Sequence, residues 1–128
     1  MTNANRQKEI LAAGELVDCM IAALDHLNHA GGGPLSCFSG GSLTRIFRER
    51  RKEKAQKELL KARFAMKSLR RYARNADFGE AMHTVDLIYN RMAANVLGPS
   101  QMKDARRDLD RAIQQAARFR DRLSDGLE

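Results

Sequence analysis

Arg48-Glu49-Arg50-Arg51-Lys52-Glu53-Lys54-Ala55-Gln56-Lys57-Glu58-Leu59-Leu60-Lys61-Ala62-Arg63-Phe64-Ala65-Met66 changes character at Ala55. From there Ala55, Leu59, Ala62, Met66, Leu69 and Ala73 recur at spacings of four and three, which lines one face of an α-helix. Before Ala55 there are seven consecutive charged residues and no apolar stripe. A helix that is polar all round is either bathed by solvent or faces a partner. The stretch from Ser42 to Ala76 therefore predicts a single basic helix of about 33 residues, roughly 50 Å long at the usual rise. Ser39 and Ser42 are its cap candidates, and Leu43, Ile46 and Phe47 form a small apolar patch at its start. A helix this long either projects beyond its partners or kinks near Arg51.

Outward from that stretch the chain repeats the same helical period. Ile10, Ala13, Val17, Met20, Leu24 and Leu27 define a first helix over about Asn5 to His29, interrupted in propensity by Gly14. Phe78, Met82, Val85, Tyr89, Met92 and Val96 define a third over about Asp77 to Leu97, with Asn75 and Asp77 as caps. Met102, Ala105, Leu109, Ala112, Ala116, Phe119 and Leu123 define a fourth over about Ser100 to Leu123. Gly31-Gly32-Gly33-Pro34 ends the first helix and Gly98-Pro99 the third. The glycine-rich loop at 30–42 is the one long connection, with Leu35, Cys37 and Phe38 expected to tuck over one end. Short connections favour antiparallel neighbours. The expected fold is all-α: an up-and-down bundle of four helices, with one unusually long basic second helix, as a single domain over 1–128.

Composition agrees with helix and narrows the function. A chain of 128 residues buries roughly two-thirds of its unfolded surface when compact, enough to fold without metal or disulfide. The formal charge is +7, and residues 43–76 alone carry thirteen Lys or Arg against three Glu. That localisation suits phosphate or acidic protein partners. No apolar run reaches the length of a membrane span, and Met1–Arg6 lacks the apolar core of a signal peptide, so a cytoplasmic location is expected. Cys19 and Cys37 have neither metal-site nor redox-motif spacing and are expected as free thiols.

Two groups of cations are the candidate partner-binding residues: Arg45, Arg48, Arg51, Lys52 and Lys54 at the unstriped end, and Arg70, Arg71 and Arg74 near the far end. Glu49 lies four residues from Arg45 and Glu53 four from Lys57, offsetting part of the repulsion. At the far end cations complement the helix dipole, and Tyr72 beside them is expected to flank the core rather than stack on a base. No cofactor or metal is expected. Gly41 precedes Ser42-Leu43, not the Lys-Ser/Thr of a phosphate loop. Glu80-x-x-His83 is one motif where a di-metal bundle needs two and two further Glu, and it sits off the third seam. Methionines on the seams read as core filling.

The resulting expectation is a non-enzymatic helical scaffold or adaptor acting through protein–protein contacts and self-associating, with an acidic protein surface, including a second copy's first and third helices, as the partner. The alternative is a nucleic-acid-binding protein using the basic face of the second helix, whose contacts would be salt-dependent. Contact with a membrane surface is not expected.

Overall fold

The computed structural model describes residues 3–30 and 42–126, and the side chains of 5–29, 46 and 48–126. Four α-helices account for most of them: α1, Asn3–Ala30; α2, Ser42–Lys67; α3, Ala76–Ala93; and α4, Pro99–Ser124. A 3-10 turn, Arg70–Tyr72, links α2 to α3. No strand occurs among the described residues. The glycine-rich loop, with the readings placed on Leu35, Cys37, Phe38 and Ser39, lies outside the described residues, as do the side chains of Leu43, Arg45 and Phe47.

Each helix packs beside its neighbour in sequence, and α4 closes the ring against α1. Named pairs set the directions. The start of α1 meets the segment after α2 through Glu9 and Arg71, and its end meets the first half of α2 through His26 and Arg51. Arg63 of α2 reaches Asp86 of α3. Asp77 at the start of α3 meets Arg118 and Arg122 near the end of α4. Arg6 donates to the Leu123 carbonyl, bringing the end of α4 back to the start of α1. The bundle is up-down-up-down; the short connections after α2 and α3 favour this, and the pairs of Glu9 with Arg71 and His26 with Arg51 set it for α1 and α2.

The core follows the expected seams with local corrections. All seven apolar positions expected on α4 are buried, as are Ala55, Leu59, Ala62 and Met66 of α2 and Leu69 just beyond it. On α3 the buried line is Phe78, Ala81, Val85 and Ile88, while Met82, Tyr89 and Met92 are half-buried and Val96 is exposed. Val96 lies beyond the helix. Asn95 takes a left-handed backbone (φ 56°), its N–H donating to the Met92 carbonyl and the Val96 N–H to the Arg91 carbonyl. That pair of bonds is a Schellman stop, and it ends α3 four residues short of the expected Leu97. Asn tolerates this backbone less well than glycine. Asn95→Gly is therefore expected to raise stability by about 0.5–1 kcal/mol, seen as a higher urea midpoint at unchanged slope; an unchanged or lowered midpoint would count against the stop as described.

The unusually long second helix is not present. α2 has 26 residues, against 28 for α1 and 26 for α4, and it runs unbroken through Arg51. It stops because the winding tightens: Ser68 N–H bonds to the Ala65 carbonyl, Leu69 to Met66 and Tyr72 to Leu69. In 3-10 winding, residues three apart eclipse, so Tyr72 falls in line with Leu69. Tyr72, expected to flank the core, is buried in it, and Ala73, expected on the seam, is exposed. The Tyr72 ring meets Phe119 edge-on with centroids 5.0 Å apart, and Phe119 stacks on Phe78 at 4.6 Å. Contacts of that kind add stabilisation beyond area burial. Asn75 then caps α3, its Oδ1 accepting from the Phe78 N–H at 3.0 Å.

Candidate functional site

The basic half of α2 does not stand free of the bundle. α2 outlasts α3, so its first half runs beside the α3–α4 turn. Arg48 and Lys52 there share a cleft of about 110 Å³ with Leu97, Gly98, Pro99, Met102 and Arg106. Arg51 is half-buried, and its Nη1 donates to His26 Nδ1 at 3.1 Å. A guanidinium can only donate, so Nδ1 carries no proton in this pairing. Burial first, then the Arg51 charge, pushes His26 below its ordinary value of 6.5. Lys52 is half-buried, with Nζ 3.8 Å from Glu49 Oε1. Arg48 and Lys54 are exposed. Long cationic stems lie along apolar surface while their heads stay wet, which explains how a segment with no apolar residue packs at all.

The second group divides. Arg70 and Arg74 are exposed. Arg71 is held within the fold: Nε donates to Glu9 Oε2 at 2.7 Å, and Nη2 donates to Glu9 Oε1 at 2.9 Å and to the Tyr72 hydroxyl at 2.6 Å. The Tyr72 hydroxyl donates to Glu9 Oε1 at 3.0 Å. Fork-on-carboxylate geometry is the strong form of this pairing. Burial alone drives the Glu9 carboxyl up. The hydrogen bonds from Arg71 and Tyr72, with the charges of Arg71 and Arg6, outweigh it and leave Glu9 below its ordinary 4.5. Burial, then donation to Glu9, pushes the Tyr72 hydroxyl up. Arg71 thus ties the α2–α3 connection to α1.

Sequence reasoning missed two features. Arg106 sits one turn after the seam residue Met102, a spacing visible in the sequence, but nothing there brings α2 beside it. The second feature is the outward surface of α1, where Leu11, Glu15, Asp18 and Asp25 are all exposed. Leu11, Asp18 and Asp25 repeat at seven, so this line was legible. Opposite in sign, the outward surface of α2 exposes Lys54, Lys57, Lys61 and Phe64. Glu80 and His83 are both exposed, and no group of three or more His, Cys, Asp or Glu among the described residues could hold a metal ion. Cys19 is buried and outside any disulfide, and burial raises its thiol above the ordinary value. Among the described residues no helix is long and apolar enough to cross a membrane.

No protein-family model, curated protein or solved structure matches the chain.

Proposed function

We propose that this chain is a non-enzymatic helical scaffold that self-associates through the outward faces of α1 and α2. The observation that carries the reading is the complementarity of those faces. Leu11 (73% exposed) and Phe64 (59% exposed, with the Lys67 ammonium 4.4 Å from its ring centroid) are large apolar side chains that face solvent. Glu15, Asp18 and Asp25 share the outward face of α1 with Leu11, and Lys54, Lys57 and Lys61 that of α2 with Phe64; Lys8 and Glu53 are exposed there too. Among the described residues Glu15, Asp18, Lys54 and Lys57 make no salt bridge. Lys61 is exposed and pairs at 3.1 Å with the half-buried Glu58, while the His29–Asp25 pair is exposed on both sides and of the kind worth little.

The internal register supports one arrangement of two copies. Glu9 pairs with Arg71 and His26 with Arg51, so Asp18 lies level with Lys61 and Asp25 level with Lys54. A two-fold axis parallel to the helices lays α1 of each copy over α2 of the other at the same height. Asp18 then faces Lys61, Asp25 faces Lys54, and Leu11 falls within about one helical turn of Phe64. Each charge pair occurs twice in such a dimer. Two exposed pairs at about 0.7 kcal/mol each amount to roughly tenfold in affinity.

Sedimentation of the chain across concentration tests this. Asp18→Lys and Lys61→Glu should each weaken association about tenfold or more, the combined variant should regain it, and added salt should weaken the wild type. A wild-type chain that stays monomeric at high micromolar concentration would end the proposal.

Nucleic acid is the second reading, carried by the exposed Arg48, Arg50, Lys54, Lys57, Arg70 and Arg74. It requires binding to short duplex or single strands that falls steeply with salt and is reduced by Arg48→Glu with Arg50→Glu.

A further inference from the structure

We infer that the cleft between the first half of α2 and the start of α4 binds a phosphate monoester. Its wall is apolar, with Leu97 and Met102 buried and Pro99 beside them. Three cationic side chains line it as well, Arg48 and Lys52 from α2 and Arg106 from α4. No carboxylate lines it. Among the described residues no hydrogen bond or salt bridge engages Arg48 or Arg106. Glu49 lies 3.8 Å from the Lys52 ammonium, but the Glu49 and Glu53 side chains line the neighbouring cleft on the other side of Lys52.

Three cations from two helices around one concavity repel one another, and an anion between them removes that cost. The charge and the shape both select phosphate over carboxylate. A monoester carries close to two negative charges at neutral pH and three acceptor oxygens, whereas a carboxylate leaves two cations uncompensated. Two guanidinium forks and one ammonium are the donor set that phosphate oxygens accept from in parallel. α4 adds to the same field: Gly98 caps it without a side-chain hydrogen bond and Pro99 stands in its first turn, so the helix dipole contributes its positive end there. That helix end is an accessory; the three side chains define the site. The apolar wall takes the ester's carbon group, which makes an ester a better ligand than free phosphate. The volume, about 110 Å³, holds the phosphoryl group and the near part of its substituent. The cleft lies at the α2–α4 end and shares no residue with the α1–α2 association surface named above, so the two proposals stand or fall separately.

The test is amide-shift NMR titration of the full chain at low ionic strength with phenyl phosphate, inorganic phosphate and phenylacetate. Phenyl phosphate should saturate, with shifts centred on Leu97 to Met102, and bind more tightly than either other anion. Arg106→Gln should weaken it about tenfold or more, and Arg106→Lys by less. Because Arg48 is exposed, Arg48→Gln provides a second variant that should fold normally and weaken binding similarly. Shifts spread equally over Lys54, Lys57 and Arg70, phenylacetate binding as tightly as phenyl phosphate, or unchanged affinity in either glutamine variant would overturn the assignment.

Discussion

Gly79→Ala lowers stability by about 2 kcal/mol, although alanine is the better helix former. Gly79 stands in the first turn of α3, where a Cβ would come 2.5 Å from the Ala73 backbone carbonyl oxygen. Backbone cannot swing aside as a side-chain tip can. Ala73 belongs to the connection held by bonds from its own N–H to the Arg70 carbonyl and from the Asn75 N–H to the Tyr72 carbonyl. Tyr72 is in turn fixed by Glu9 and Phe119. Overpacking of this kind costs about 3 kcal/mol at its upper range, and the propensity gain returns about 1. Gly14→Ala is the control. A Cβ there meets nothing within 4 Å, so the same change should stabilise by about 0.5–1 kcal/mol. Urea midpoints of both variants decide it: if Gly79→Ala matched or exceeded the wild type, the close approach would be wrong.

Glu9→Leu is the second large effect, expected at about 3 kcal/mol. The carboxylate accepts from Arg71 twice and from the Tyr72 hydroxyl once. Its removal strips a buried hydroxyl of its acceptor and breaks a charge-assisted network, and hydrogen bonds to charged groups contribute about 1.5–3 kcal/mol. Glu9→Gln keeps the shape and one acceptor oxygen and should cost about half as much. The pH dependence has a definite sign. Glu9 lies below its ordinary 4.5 in the folded chain, so its ionised form favours folding. That contribution is complete above 4.5 and is lost as pH falls through the lowered folded value. The stability gap between wild type and Glu9→Gln should hold steady from neutral pH down to about pH 5 and close below it. A gap that stayed constant into acid would remove Glu9 from the network.

Both effects converge on one place that periodicity read incorrectly. The spacing of Met66, Leu69 and Ala73 continues a regular helix, and at four-and-three resolution nothing distinguishes Ala73 from Tyr72 as the next inward residue. The choice was made by Phe119 of α4 and Glu9 of α1, residues 47 positions after and 63 before Tyr72. Likewise Arg71 read as a surface cation because its partner is remote in sequence. α3 was legible as a helix but not in its rotation. It packs on both α2 and α4, and its sequence has apolar residues at Ala81 and Ile88 as well as at Met82 and Tyr89, so two overlapping stripes fit the pattern.

The candidate sites divide the same way. The cationic run from Arg48 to Lys54 and the acidic line of Asp18 and Asp25 are visible in the sequence. The cleft with Arg106 is not, because it exists only where α2 outlasts α3 and lies along the turn into α4.

By itself the chain's pattern determined that there are helices, which apolar residues line α2 and α4, and that the two short connections make the helices they join antiparallel. Those depend on local period and turn chemistry, which act over a few residues. Only the tertiary structure decided where α2 ends, which way α3 turns its apolar residues, and which cations are spoken for. Each of those depends on a partner dozens of residues away, and the free energy of such a pair belongs to neither residue's local sequence.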